Sequence, residues 1–315
     1  MEKNFLDKNA NVVANCGYFN VFGKGTAVTK PQAGEKTTKI GNGCSFGGNV
    51  RIAANCVIGN NVVIGDNIII PQGTVIGNNV TINGIVRLGE ANVIGDNTKI
   101  CGIVKIGEHN MFMPNCVIGV DNATASDHGM VKIGNSNTFH TGVTVVRASG
   151  QNANNATTIG DNCSLFENTV IKSNVVIGSD VCCYPQCTIL EGAHIGNDAS
   201  FISSTLVKAQ SFIGDGAMID AQRIDRDIPP FAIVLGENVV GINRPLLMEK
   251  IVDITDSQIG WVSETVRHIC TAISYEIAQG MVNRERLSDN RLEDIYLKLF
   301  EFVHTPHAQK VMKWR

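Results

Sequence analysis

Every sixth residue across most of this chain is a large aliphatic or Phe. From Ile40 the series runs Phe46, Ile52, Ile58, Ile64, Ile70, Ile76, Ile82, Leu88, Ile94, Ile100, Ile106, Phe112 and Ile118. At 43% apolar composition, fourteen apolar residues in phase would arise by chance roughly once in 10^5 trials, so the period is architectural. A second run follows the same rule: Ile159, Leu165, Ile171, Ile177, Cys183, Ile189, Ile195, Phe201, Val207, Ile213 and Ile219. Most of these residues precede Gly, Asn or Asp, which tolerate positive φ and close tight turns. The reading is a parallel β-helix of hexads, three short strands and three turns to a coil, each coil burying its apolar face only against its neighbours.

The fifth residue of each hexad sits beside the aliphatic stack and should be small or β-branched; it reads Cys44, Val50, Cys56, Val62, Ile68, Thr74, Val80 and Val86. Five of the ten cysteines (Cys44, Cys56, Cys116, Cys163 and Cys187) hold that position, and none is in a CxxC pair. They read as packing thiols of a reducing compartment rather than as disulfides or metal ligands. Net charge is −3, which gives no reason to expect nucleic acid as a partner. The sequence has no run of 18 apolar residues and no signal-peptide core at its start, so the expectation is a cytoplasmic chain without a transmembrane segment.

The reading divides the chain into a β-helix over 1–227, a connector over 228–255 and a small α-helical domain over 256–315. Leu6, Val12 and Tyr18 read as the inward residues of an atypical first coil. Phase breaks at 24–39, 119–132 and 146–158 read as excursions, and solenoids carry such loops only at corners, often around a ligand site. In the connector, Pro229 and Pro230 stop the hexads. Beyond it, Ile259, Val262, Val266, Ile269, Ile273 and Ile277 form a helical stripe over Gln258 to Gln279, and a second helix spans Asp289 to His304.

The segment G-V-T-V-V-R-A-S ending at Ser149, the loop after I-G-V-D-N, and the connector D-I-P-P-F-A-I-V-L-G-E-N-V-V-G-I-N ending at Asn243 resemble the corresponding segments of bacterial UDP-N-acetylglucosamine O-acyltransferases. The resemblance spans about 40–315 and keeps the order of loops and domains. It implies a left-handed coil, a homotrimer with clefts between prisms, an acyl-carrier-protein or coenzyme A thioester as donor and a UDP-sugar-type acceptor; the spread of the histidines offers no three-ligand arrangement, so the expectation is no cofactor or metal. The resemblance implies substrate contacts at Asp121, Asn122, Arg147, Lys208, Asn243 and Lys250. The family's catalytic His falls on Lys172, its companion His on Thr169, and an arginine of its basic cluster on Glu249.

Lys172 has three readings. As a cation it would bind a phosphate or carboxylate or steady an oxyanion; it could be a corner lysine without a role; or it could be a base, if its pKa fell about three units from 10.4. His128, in the first excursion, and His140, at a corner one hexad before Arg147, are the histidines placed to act as base. The expected activity is acyl transfer to a nucleotide-linked amino sugar of cell-envelope glycolipid or polysaccharide synthesis, as in lipid A assembly. Its alternatives are an inactive trimeric sugar-nucleotide binding or scaffold protein and a short-chain acetyltransferase using acetyl-CoA.

Overall fold

Two-residue strands separated by tight corners are what the hexads produce. The computed structural model describes residues 4–7, 10–12, 14–34, 36–120, 129–150, 154–271, 292–304 and 311–314. The chain forms two compact units, Met1–Asn174 and Val175–Arg315.

In the first unit each strand turns one residue outward and buries the next, as in Val57–Ile58, Val63–Ile64 and Ile69–Ile70. Parallel partners stand 18 residues apart, so three hexads make a coil with three faces. The first face pairs Val21, Ser45, Val63, Thr81, Lys99, Val117, Thr144 and Val170 in succession. The second pairs Ala27, Arg51, Ile69, Arg87, Lys105, Lys132 and Thr158. The third pairs Lys39, Val57, Val75, Val93, Met111, Thr138 and Ser164. Corners are turned by left-handed residues such as Asn61, Asn67, Asn79 and Asn97, with φ of 55–59°, where Asn tolerates what other side chains resist.

Inside, Ile52, Ile64, Ile70, Ile76 and Ile82 are at most 1% exposed, each contributing roughly 1.5–3 kcal/mol of burial. Phe22 stacks on Phe46 at 4.9 Å and Phe112 on Phe139 at 4.6 Å. The fifth hexad position also accepts a residue outside the small or β-branched set. Buried Asn92, Asn110 and Asn137 form a ladder: Asn110 N donates to Asn92 Oδ1 at 2.9 Å, Asn137 N to Asn110 Oδ1 at 2.9 Å, and Cys163 N to Asn137 Oδ1 at 2.7 Å. Each amide satisfies a backbone donor that no strand reaches.

The start of the chain departs from the expected phase. Val12 and Cys16, only four residues apart, both take inward strand positions; Tyr18 is 57% exposed. This short corner brings Phe22 and Val28 into register with Ile40. Ala27–Val28 is a strand with Val28 buried, so the excursion expected at 24–39 contracts to about 29–38. The other two excursions also shorten, because Met130–Ile133 and Ala156–Ile159 are strands. Across them, partners stand 27 apart (Val117 with Thr144) and 26 apart (Met130 with Ala156) instead of 18.

The second unit continues with Val176, His194 and Phe212 on one face, and holds the connector and the helices. The connector is a hairpin: Ala232–Leu235 pairs in parallel with Met218–Asp220 and antiparallel with Asn238–Ile242. Gly236, at φ +61°, turns it. Helix α1 (Arg244–Lys250) was not foreseen. Asn243 Oδ1 caps its Leu246 N–H at 3.3 Å, with Pro245 in the first turn. Helix α2 (Asp256–Thr271) starts with a reciprocal Thr255–Gln258 cap. Helix α3 spans Glu293–His304. The remainder of the stripe, Ile273 and Ile277, lies outside the described residues.

Asn110→Ala removes both the amide acceptor for Asn137 N and the donor to Gly134 O. It should destabilise the fold by about 1–3 kcal/mol, whereas Asn60→Ala on the exposed ladder should cost well under half of that; urea titration of both variants decides it. Burial raises the thiol pKa of Cys56 and Cys116 to about 11. At pH 8 their thiolate fraction is on the order of one in a thousand, so a thiol reagent should modify neither in the folded protein and both after unfolding.

Candidate active site

One edge of the first unit is built unlike the others. Between the first and second faces, Thr81–Leu88 and Lys99–Ile106 run through the corner as continuous paired strands, with Gly84 opposite Gly102. A Cβ on Gly84 would lie 2.4 Å from Gly102 O, and one on Gly119 2.1 Å from Cys101 O. Backbone therefore packs directly on backbone here, and both interrupting loops leave from this same edge.

Arg147 leaves the first-face strand at this edge and is only 7% exposed. Its Cδ lies 3.5 Å from where a Cβ on Gly102 would sit. The stem of this side chain, expected to meet substrate, lies against the glycine corner. Ser149 N donates to Asn174 Oδ1 at 3.2 Å, Asn174 Nδ2 to Ser149 Oγ at 2.9 Å, and Asn174 N to Thr157 Oγ1 at 3.0 Å. Ala148 N reaches Met130 O at 3.3 Å and Met130 N reaches Asn155 O at 3.0 Å. These bonds tie the feet of both loops together. Lys172 follows strand Val170–Ile171 on the same edge and is half-buried. Asp121, Asn122 and His128 lie outside the described residues.

His140 stands elsewhere, at the corner between the third and first faces. Its Nδ1 is 3.3 Å from Glu167 Oε1, its ring stacks on Phe166 at 4.3 Å and 14°, and its side chain is 21% exposed. A carboxylate beside an imidazole Nδ1 favours the tautomer protonated at that nitrogen, with the lone pair on Nε2. Neither Glu167 nor Phe166 stood out in the sequence; both hold the turn position one coil on, 26 and 27 residues after His140, a spacing visible only once the second loop's length is known. The width of the first face separates His140 from Lys172, roughly 15 Å at 3.3 Å per residue.

In the second unit the expected substrate contacts have other partners. Asn243 is 8% exposed, caps α1, and donates from Nδ2 to Gly216 O at 2.9 Å. Lys250 Nζ pairs with Asp198 Oδ1 at 2.8 Å, and Lys208 Nζ with Asp225 Oδ2 at 3.7 Å. Lys298 bridges Asp215 and Asp294 at 3.2 and 3.4 Å. The hydrogen bond to Asp198 raises the Lys250 pKa. Lys250 and Lys298 thus join α1 and α3 to acidic turns of the same unit, whereas the Lys208–Asp225 pair lies within the coil. Among the described residues no group of three His, Cys, Asp or Glu could hold a metal ion.

Comparison with known proteins agrees with this architecture. Residues 37–67 match the family described as bacterial transferase hexapeptide (six repeats), and 151–264 match the GMPPB C-terminal domain family. The chain carries hexapeptide repeats of this kind over the matched residues. It is 32% identical over 142 residues to an acyl-acyl-carrier-protein UDP-N-acetylglucosamine O-acyltransferase of Synechocystis, covering 42% of this chain and 51% of that one. The chain thus spans about half the length of the curated relatives it matches. The UDP-N-acetylglucosamine acyltransferase structure of Francisella novicida superposes with a TM-score of 0.66 at 20% identity, covering 86% of this chain and 92% of that one. LpxA of Acinetobacter baumannii gives 0.60 at 16%, covering 99% and 100%. The hexapeptide-repeat coil shared with these structures is the left-handed parallel β-helix. No described helix is long and apolar enough to cross a membrane.

If Lys250 serves as a fastener, Lys250→Met and Asp198→Asn should each cost less than about 1 kcal/mol at this half-exposed pair, and the double variant no more than either alone. Because the folded-state pKa is raised, this increment is fully present below pH 10 and fades as pH rises through the folded value; melting curves over pH 8–11 check the sign.

Proposed function

We propose that this protein transfers an acyl group from a carrier-protein or coenzyme A thioester to a hydroxyl or amine of a nucleotide-linked amino sugar, in the cytoplasm, as a homotrimer. The observation that carries the reading is the His140–Glu167 pair, held by Phe166 at a prism edge. Nε2 takes the acceptor's proton as its oxygen or nitrogen attacks the thioester carbonyl. The tetrahedral intermediate then collapses, breaking the C–S bond, and the proton passes to the departing sulfur. The relatives' names supply the substrate classes.

Lys172 has the part of a cation for the acceptor's phosphates. Because the first face separates it from His140, the reading requires the two edges to meet between neighbouring copies. Exposed Val57, Val75 and Met111 on the third face and Val21 and Val63 on the first, 37–45% exposed, give such copies apolar surface to share. Lys172 at the place of the family's His favours a second reading, a trimeric sugar-nucleotide binding protein without catalysis.

The test is to incubate the protein with acyl-carrier-protein and coenzyme A thioesters of several chain lengths and UDP-amino sugars, and weigh the products. Transfer is expected, with His140→Gln lowering kcat by about 10^2-fold or more, Lys172→Met raising the acceptor KM, and Lys172→Arg largely preserving it. At acceptor concentrations far below the raised KM, co-expressed His140→Gln and Lys172→Met chains should be more active than either variant alone, since a mixed trimer contains one intact site. Tight UDP-sugar binding by calorimetry without any product establishes the second reading, and a stable monomer in light scattering rules out the shared site.

A further inference from the structure

The second face of the first unit carries a charge pattern that no carboxylate among the described residues pairs with. Its outward ladder reads Arg51, Ile69, Arg87, Lys105, Lys132 in consecutive coils, all exposed. Successive rungs stand about 4.8 Å apart, so Arg87, Lys105 and Lys132 are three like charges in adjacent register, an arrangement that destabilises a sheet left to itself. Among the described residues no carboxylate pairs with any of the four cations. The other two faces present mainly Val, Thr, Ser and Met at the equivalent positions. With a whole-chain charge of −3, this concentration of positive charge is local.

We infer that this face docks on the headgroup surface of a bilayer carrying anionic phospholipid. The cations lie on one straight sheet face, which suits a flat array of phosphates. Two exposed aliphatics accompany them, Ile69 at 55% and Ile85 at 64% exposure, placed to enter the headgroup layer beside the charges. The exposed aromatics of the described chain, Phe5, Tyr18, Phe19 and Tyr184, are not among the outward residues of this face, so the stacking platform that single-stranded nucleic acid needs is missing. The attachment is peripheral and reversible, and independent of catalysis at the edges.

The experiment is co-sedimentation of the intact protein with vesicles of phosphatidylcholine alone and of one part phosphatidylglycerol to two parts phosphatidylcholine. Binding is expected only to the second, and to weaken steeply with added salt. Each of Arg51→Ser, Arg87→Ser, Lys105→Ser and Lys132→Ser should lower partitioning by about fivefold, and the four together should abolish it. The paired control Lys39→Ser with Lys99→Ser, on the other faces, should change it little. All these side chains point outward, and an unchanged melting temperature certifies the fold. The inference is overturned by absence of binding to the anionic vesicles, by equal binding to both vesicles, by wild-type binding of the fourfold variant, or by a single-stranded oligonucleotide or polyglutamate being bound in place of the vesicles.

Discussion

Everything in this molecule depends on one coincidence of lengths: 18 residues close a three-sided coil, and a parallel hydrogen-bonded step to the next coil brings the same hexad position onto itself. The inward Ile of one coil therefore lands on the inward Ile of the next, and burial is shared along a column rather than gathered into a globular centre. The corners make this possible. Residues such as Asn61 and Asn79 adopt positive φ, and their side chains bond one another across coils, as Asn61 Nδ2 does to Asn79 Oδ1 at 3.3 Å. A core this narrow has no room for irregularity, which is why both loops leave at an edge.

That regularity explains what was legible. The inward series from Ile40 to Ile118 and the second series from Ile159 could be read straight from the period, because a two-residue strand needs only its own hexad to be placed. What depended on a change of corner length was not legible. Val12 and Cys16 are four apart, so Tyr18 reads as inward although Cys16 holds that place. The strand at Ala27–Val28 was lost in the same way. The buried ladder of Asn92, Asn110 and Asn137 escaped because a polar residue at an inward position is explicable only when its coil-to-coil partner is known.

The site was less legible than the fold for a related reason. Lys172, Arg147 and the first excursion share an edge, a grouping set by which corner the loops interrupt, and the hexad count does record it. The pairing of His140 with Glu167 is a contact between coils across an insertion of eight residues, so no fixed spacing announces it. In the second unit, Lys250 and Lys208 read as substrate contacts, and each faces a carboxylate, Asp198 and Asp225, that is not its neighbour in sequence. Charge composition shows neither pairing.

A ladder of near-identical rungs invites a different hazard, slippage by one coil while the chain folds, since any hexad can sit on almost any other at little cost. The stacked pairs Phe22–Phe46 and Phe112–Phe139 and the run of three buried asparagines are the places where a slipped alignment loses most: a ring would face a smaller aliphatic, and an amide would face carbon. They act as index marks along an otherwise uniform scale. The chain thus spends its few irregular core residues on counting, and the two loops reach the same edge only because the count between them is kept.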